Sequence, residues 1–235
     1  MSKPRSQDSA HRTTGSNRTR RQSVTGPRGS HPPAATVAAV ALVVVVVVAV
    51  LYVVFRTGSP ATDPGAGASG YPHVAGDPGT GEMAPDFTLA SGAGTPVSLT
   101  AYRGRSVLLY FQEGLTCQPC WDQIRDLERN TDALTSAGVD AVVSITTDPA
   151  ALIGRKAADE HLTTVVASDP DLKVSRAYDA NSYGMMGQMR DGHSFVLVGP
   201  DGVIAWRADY DGAPQHTMYL PTAKLLADLR TERRP

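Results

Sequence analysis

Only two cysteines occur among the 235 residues, and they stand as Cys117-Gln118-Pro119-Cys120 between an apolar run and an amphipathic one. The order VLLYFQEGLTCQPCWDQIRDLE predicts a buried strand at 107–111, a short loop containing Gly114, and a helix opening at the cysteines. That helix is expected to run to about residue 134, with Trp121, Ile124, Leu127 and Leu134 on one face. The arrangement suits thiol chemistry. Unpaired N–H groups and the macrodipole at a helix N-terminus stabilise a thiolate and pull the first cysteine below its usual pKa of about 8.5. Pro119 fits the first helical turn, where its missing N–H costs nothing. The two-residue spacing brings the second sulfur close enough to resolve a mixed disulfide. A purely structural disulfide would close so small a loop that it constrains little unfolded-chain entropy. Zinc would need a second pair of ligands at suitable spacing, and there are no further cysteines. Cys117 is therefore expected as the nucleophile and Cys120 as its resolving partner. Neither a metal nor a cofactor is called for.

From Met83 onward the hydrophobic period switches repeatedly between two and 3.6, the signature of a mixed α/β domain. Strands are expected at 97–99, 107–111, 139–145 and 164–166, and a hairpin should pair 195–198 with 203–210 across Gly199-Pro200-Asp201-Gly202. Further helices fit 149–160, 171–178 and 221 to the end. Asp140 and Asp148 read as ordinary boundary residues of a strand, and His216 and Met218 as part of the loop before the last helix.

The stretch Gly81-Glu82-Met83-Ala84-Pro85-Asp86-Phe87-Thr88-Leu89, then Pro96-Val97-Ser98-Leu99 and Tyr102-Arg103-Gly104-Arg105 ahead of VLLYF, carries a family likeness. It resembles the opening of the alkyl hydroperoxide reductase/thiol-specific antioxidant (redoxin, peroxiredoxin-like) family of the thioredoxin-like superfamily. The late segment FVLVGPDGVI resembles that family's final strands, so the likeness covers about 81–211. It implies an α/β thioredoxin-like fold, a central mixed β-sheet flanked by helices, with either peroxide reduction or dithiol exchange as its activity. Typical peroxiredoxins carry P-x-x-x-T/S-x-x-C. With Gln112 laid on the motif's proline, Thr116 falls on its threonine but Pro119 falls on its peroxidatic cysteine. The C-x-P-C pair instead resembles thioredoxins and membrane-tethered thiol-disulfide proteins of the bacterial cell envelope. Thiol-disulfide exchange is thus the leading expectation, and a thiol-dependent peroxidase acting through Cys117 is the alternative. Thr116, Pro119 and Trp121 are the expected substrate-contacting residues; Trp121 reads equally as a core side chain. Protein thiols or disulfides, or peroxide, would be substrates, with an unidentified electron donor or acceptor.

Thioredoxin-like proteins usually place a cis-proline opposite the active cysteines, and aligning FVLVGPDG on the following strand puts His193 there. If so, His193 would approach Cys117 and act on its thiolate as a charge partner or acid/base; otherwise it is a loop histidine. Cys117, Cys120 and His193 also resemble the ligand set of copper-delivery proteins of the same fold, which have three residues between the cysteines. Met185, Met186 and Met189 would add thioether ligands suited to Cu(I), although flexible Met side chains more often fill apolar space or line a partner groove. A copper-binding module is the non-enzymatic alternative.

Ahead of this domain lie three unlike segments. Residues 1–33 are basic, with seven Lys or Arg against Asp8, and read as a disordered cytoplasmic arm. Residues 34–56 include 22 without a charge, among them a valine run from Val43 to Val48, and read as a transmembrane helix of about 33 Å. Residues 57–81, rich in Gly, Pro and Ala, read as a flexible linker to an extracytoplasmic domain at 82–235. The basic arm before the span orients it with its N-terminus inside, as a single-pass protein of the cell membrane. The first 56 residues hold eight basic side chains and one acid, leaving 14 basic against 22 acidic beyond them. That acidic balance and the arm's position beside the span favour contact with lipid over nucleic acid.

Overall fold

The computed structural model describes residues 34–57, 65–66, 69–212 and 214–233, so the basic arm and most of the early linker lie outside the described residues. The chain divides into two units, Met1–Pro60 and Ala61–Pro235. In the first, Ala34–Thr57 forms helix α1. The expected transmembrane helix is corrected: among the described residues no helix is long and apolar enough to cross a membrane. The single-pass anchor, the membrane contact and the extracytoplasmic placement all rested on that span and fall with it.

The second unit is an α/β domain. Its elements in chain order are β1 (Gly65–Ala66), β2 (Pro72–His73), β3 (Thr88–Ser91), β4 (Val97–Ser98), β5 (Val107–Phe111), α2 (Gln118–Arg129), α3 (Thr131–Ser136), β6 (Ala141–Thr146), α4 (Ala150–Asp159), β7 (Val165–Ser168), α5 (Lys173–Ala177), β8 (Ser194–Val198), β9 (Ile204–Asp209) and α6 (Thr222–Glu232). Seven strands form one mixed sheet in the order β4-β3-β7-β6-β5-β8-β9. β5 pairs in parallel with β6 and β6 with β7, whereas β5–β8, β8–β9, β3–β7 and β3–β4 are antiparallel.

The expected strand at 107–111 is central, which explains why VLLYF has no polar alternation. Leu108 and Tyr110 point into one core with Trp121, Ile124 and Leu127 of α2 and Leu225, Leu226 and Leu229 of α6. Val107, Leu109 and Phe111 point into the other with Phe87, Leu99, Val143, Ile145 and Tyr178. The helix expected to 134 is broken at Asn130, whose side chain turns back to donate to the Asp126 carbonyl (2.8 Å). Leu134 reaches the same core from α3 instead.

Within the stretch read as linker, residues 69–81 are held to the domain. Val74 bridges Asp209, Gly81 N–H donates to the Ile204 carbonyl (2.8 Å), and Ser69 N–H donates to buried Asp228 (2.6 Å).

Candidate active site

β5 ends at Phe111, and the next five residues turn across the sheet end to deliver Cys117 as the N-cap of α2. Cys117 and Cys120 are joined as a disulfide with Cα atoms 5.3 Å apart. The two sulfurs differ in access: Cys117 is 8% exposed and Cys120 is fully buried. The Cys120 N–H points at Cys117 Sγ (3.3 Å), so the first turn of the helix offers a donor to the outer sulfur. The same group would stabilise a thiolate there once the disulfide is opened.

The loop ahead of the cysteines is fixed residue by residue. Gly114 N–H donates to Gln112 Oε1 (2.7 Å) and Leu115 N–H to Asp148 Oδ2 (2.6 Å). The Gly114 carbonyl accepts from Cys117 N (3.0 Å) and from the Trp121 indole (3.0 Å). Arg190 completes the frame: its Nη1 donates to the Glu113 carbonyl (2.9 Å) and pairs with Asp148 Oδ2 (3.1 Å). Asp148, read from sequence as a boundary residue, is thus the acceptor that organises this loop. Its role escaped the sequence because β6, Arg190 and the cysteine loop meet only in three dimensions. Glu113 was missed as well, although a buried-strand run followed two residues later by a charged residue ahead of Gly114 was a signal that could have pointed to it.

Thr116 and Pro119 are exposed on either side of Cys117, and Pro119 sits at the second position of α2. Trp121 is fully buried beneath the loop, with the Lys156 ammonium 5.8 Å from its ring centre; it is a core side chain that anchors the Gly114 carbonyl. Gln118, between the cysteines, is tied to α4 and the residue after it by Lys156 Nζ (2.8 Å) and Glu160 Oε1 (3.1 Å).

His193 directly precedes β8, one step beyond the Phe111–Ser194 pair in register. It is neither a surface residue nor hydrogen-bonded to a sulfur. The ring is fully buried, edge-on to Tyr110 (5.2 Å), Phe195 (5.0 Å) and Tyr210 (6.1 Å), and neither nitrogen has a partner among the described residues. Burial in this aromatic cage depresses its pKa to about 3, so it is neutral at ordinary pH. Its link to the pair runs through Tyr110, whose hydroxyl donates to the Cys120 carbonyl at 3.5 Å. The same burial, reinforced by the charges of Asp211 and Glu113, raises the Tyr110 pKa well above its usual value. Met185, Met186 and Met189 are exposed on the neighbouring loop. Among the described residues no group of three or more His, Cys, Asp or Glu side chains could hold a metal ion.

The AhpC/TSA family profile matches residues 80–207. Peroxiredoxin Bcp of Escherichia coli K12 is 34% identical over 138 residues, covering 58% of this chain and 82% of the relative. Among solved structures, peroxidoxin BcpB of Mycobacterium tuberculosis superposes with a TM-score of 0.55 at 20% identity, over 66% of this chain and 99% of that one. Enterococcus faecalis AhpC gives 0.54 at 15% identity, over 65% and 90%. These two superpositions speak to the fold, which is the thioredoxin-like arrangement of a mixed sheet between helices. From the profile and the sequence relatives together, this chain is a thiol-dependent oxidoreductase that belongs to the AhpC/TSA family.

Proposed function

We propose that the chain is a thiol-dependent peroxidase in which Cys117 is the peroxide-attacking residue and Cys120 resolves the product. The observation that carries the assignment is the asymmetry of the pair, an outer sulfur at a helix N-cap and a buried one a turn below it. The family and its peroxiredoxin relatives support peroxide as the oxidant. In the first step the Cys117 thiolate attacks the distal oxygen of a hydroperoxide. An S–O bond forms, the O–O bond breaks, and the departing alkoxide takes up a proton to leave as an alcohol, or as water from hydrogen peroxide. In the second, the Cys120 sulfur attacks the Cys117 sulfenic acid; the S–S bond forms and hydroxide leaves as water with the Cys120 proton. An external reductant then returns both cysteines to thiols. Exposed Thr116 and Pro119 would border the approaching peroxide, with Trp121 holding the loop beneath. His193 would act as a neutral packing partner of Tyr110 rather than as an acid or base.

A second reading is favoured by one observation, the C-x-P-C disulfide at a helix start: exchange with protein disulfides through the same Cys117. Stopped-flow oxidation of the reduced protein with stoichiometric hydrogen peroxide separates the two. The peroxidase reading expects rapid loss of both thiols, a trapped Cys117 sulfenic acid in Cys120→Ser, and no rapid reaction in Cys117→Ser. Oxidation no faster than that of a free thiol, alongside rapid mixed-disulfide formation by Cys120→Ser with a protein disulfide, would overturn it in favour of exchange.

A further inference from the structure

Helix α4 contributes one lysine that touches the residue after each cysteine. Lys156 Nζ donates to Gln118 Oε1 (2.8 Å), directly after Cys117, and lies 5.8 Å from the ring centre of Trp121, directly after Cys120. Gln118 is held at its nitrogen as well, which donates to Glu160 Oε1 (3.1 Å) and to Asp122 Oδ1 (3.2 Å). Glu160 in turn pairs with Lys156 and, through its second oxygen, with Arg125 of α2, which also pairs with Asp122. A solvent-exposed side chain between the two cysteines is thus engaged at both of its polar atoms.

The support behind these contacts is firmly seated. Ile153 of α4 is fully buried in the same core as Trp121, and Gly154 packs so closely that an added Cβ would overlap the Gly92 carbonyl. The Glu160 side chain, at the end of α4, is only 11% exposed, so its ion pairs form a shielded network rather than isolated surface contacts. The cluster also balances in charge, with Lys156 and Arg125 against Glu160 and Asp122. It therefore acts on the cysteines through geometry more than through a net field. Geometry is what the first turn of α2 needs: it closes on itself through Cys120 N–H to the Cys117 carbonyl (3.1 Å), and helix ends fray when nothing outside holds them.

We propose that Lys156, backed by Glu160, is a positioning residue for the dithiol: by fixing Gln118 and Trp121 it keeps the first turn of α2 wound after the disulfide opens, so that Cys120 stays within reach of Cys117. While the disulfide is closed, the S–S bond itself holds that turn. In the reduced protein the clamp from α4 takes over. Ordering the turn in advance removes its entropic cost from ring closure, which raises the effective concentration of one sulfur at the other. Releasing the clamp therefore weakens the disulfide relative to the dithiol. The inference rests on Cys117 and Cys120 being a working pair and not on the oxidant they meet, so it and the peroxide test fail separately.

The test uses the full chain. The Cys117/Cys120 couple is equilibrated in dithiothreitol redox buffers with its thiol content read by alkylation, and amide hydrogen exchange at Cys120 is followed in the reduced and disulfide forms. Gln118→Met keeps length and charge but lacks the amide, and is expected to lower the effective concentration about tenfold. For this two-electron couple that is a rise of about 30 mV in reduction potential. Lys156→Met should shift the potential in the same direction, Lys156→Arg should stay close to wild type, and the Gln118→Met, Lys156→Met double variant should move no further than the larger single shift. Cys120 protection should fall about tenfold in the reduced Met variants and hold in their disulfide forms, a contrast that general destabilisation would not produce. Wild-type potentials in both single Met variants, a shift to lower potential, additive shifts in the double variant, a Lys156→Arg shift as large as that of Lys156→Met, or undiminished Cys120 protection in the reduced variants would overturn the proposal.

Discussion

Gly114→Ala tests how tightly the cysteine loop is built. Gly114 has φ +99°, a left-handed conformation that costs an L-residue about 1–2 kcal/mol. A methyl group added there would overlap Asp148 Oδ2 and lie 2.6 Å from Thr146 Oγ1. Asp148 has to move, and in moving it gives up the Leu115 N–H bond at 2.6 Å and its 3.1 Å pairing with Arg190. Loss of a hydrogen bond to a buried charged acceptor costs about 1.5–3 kcal/mol. Together these predict about 3–5 kcal/mol of destabilisation, measured as a fall in urea midpoint at unchanged m-value. Because the displaced loop carries Cys117 at its end, alkylation of the reduced protein should change as well. A loss below about 1 kcal/mol with unaltered Cys117 reactivity would refute the view that Asp148 organises the loop.

His193→Phe should change how stability depends on pH. With its folded pKa depressed from 6.5 to about 3 by burial, His193 binds fewer protons folded than unfolded. Its contribution is therefore intact above pH 6.5 and is lost as pH falls toward 3, by up to about 1.4 kcal/mol per pH unit. Asp211 runs the other way, its raised pKa eroding stability as pH climbs from 3.8 to about 6. The measurement is accordingly the difference between variant and wild-type urea curves, and a difference that is flat with pH would sink the argument. Arg207→Met should cost about 3–5 kcal/mol, read as a lowered Tm, because Arg207 and Asp209 form a fully buried ion pair through two contacts of 2.9 and 3.1 Å and the variant strands the carboxylate. Replacing both members with apolar residues should recover much of that loss.

The local features of this chain were legible from its residues alone. VLLYF read as a buried strand because five consecutive apolar side chains can be satisfied only when both faces of a sheet are covered, and α2 read correctly from Trp121, Ile124 and Leu127. The C-x-P-C spacing announced a dithiol site, since within one helical turn separation in sequence is nearly separation in space. What lay beyond a turn was not legible in this way. Strand β3 is short and half-exposed and went unseen, and the break at Asn130 depends on a side chain competing for a carbonyl. His193 was placed by analogy near Cys117, yet the sheet register seats it in an aromatic cage that no local pattern encodes. The uncharged stretch at 34–55 suggested a membrane span that no described helix provides. Gly114, Asp148 and Arg190 are far apart along the chain and meet only because β5, β6 and β8 are neighbours in one sheet. The sequence by itself therefore determined that two cysteines one helical turn apart would stand between a buried strand and a helix; the tertiary structure decided which charges and donors surround them, because those contacts are set by strand order and not by local spacing.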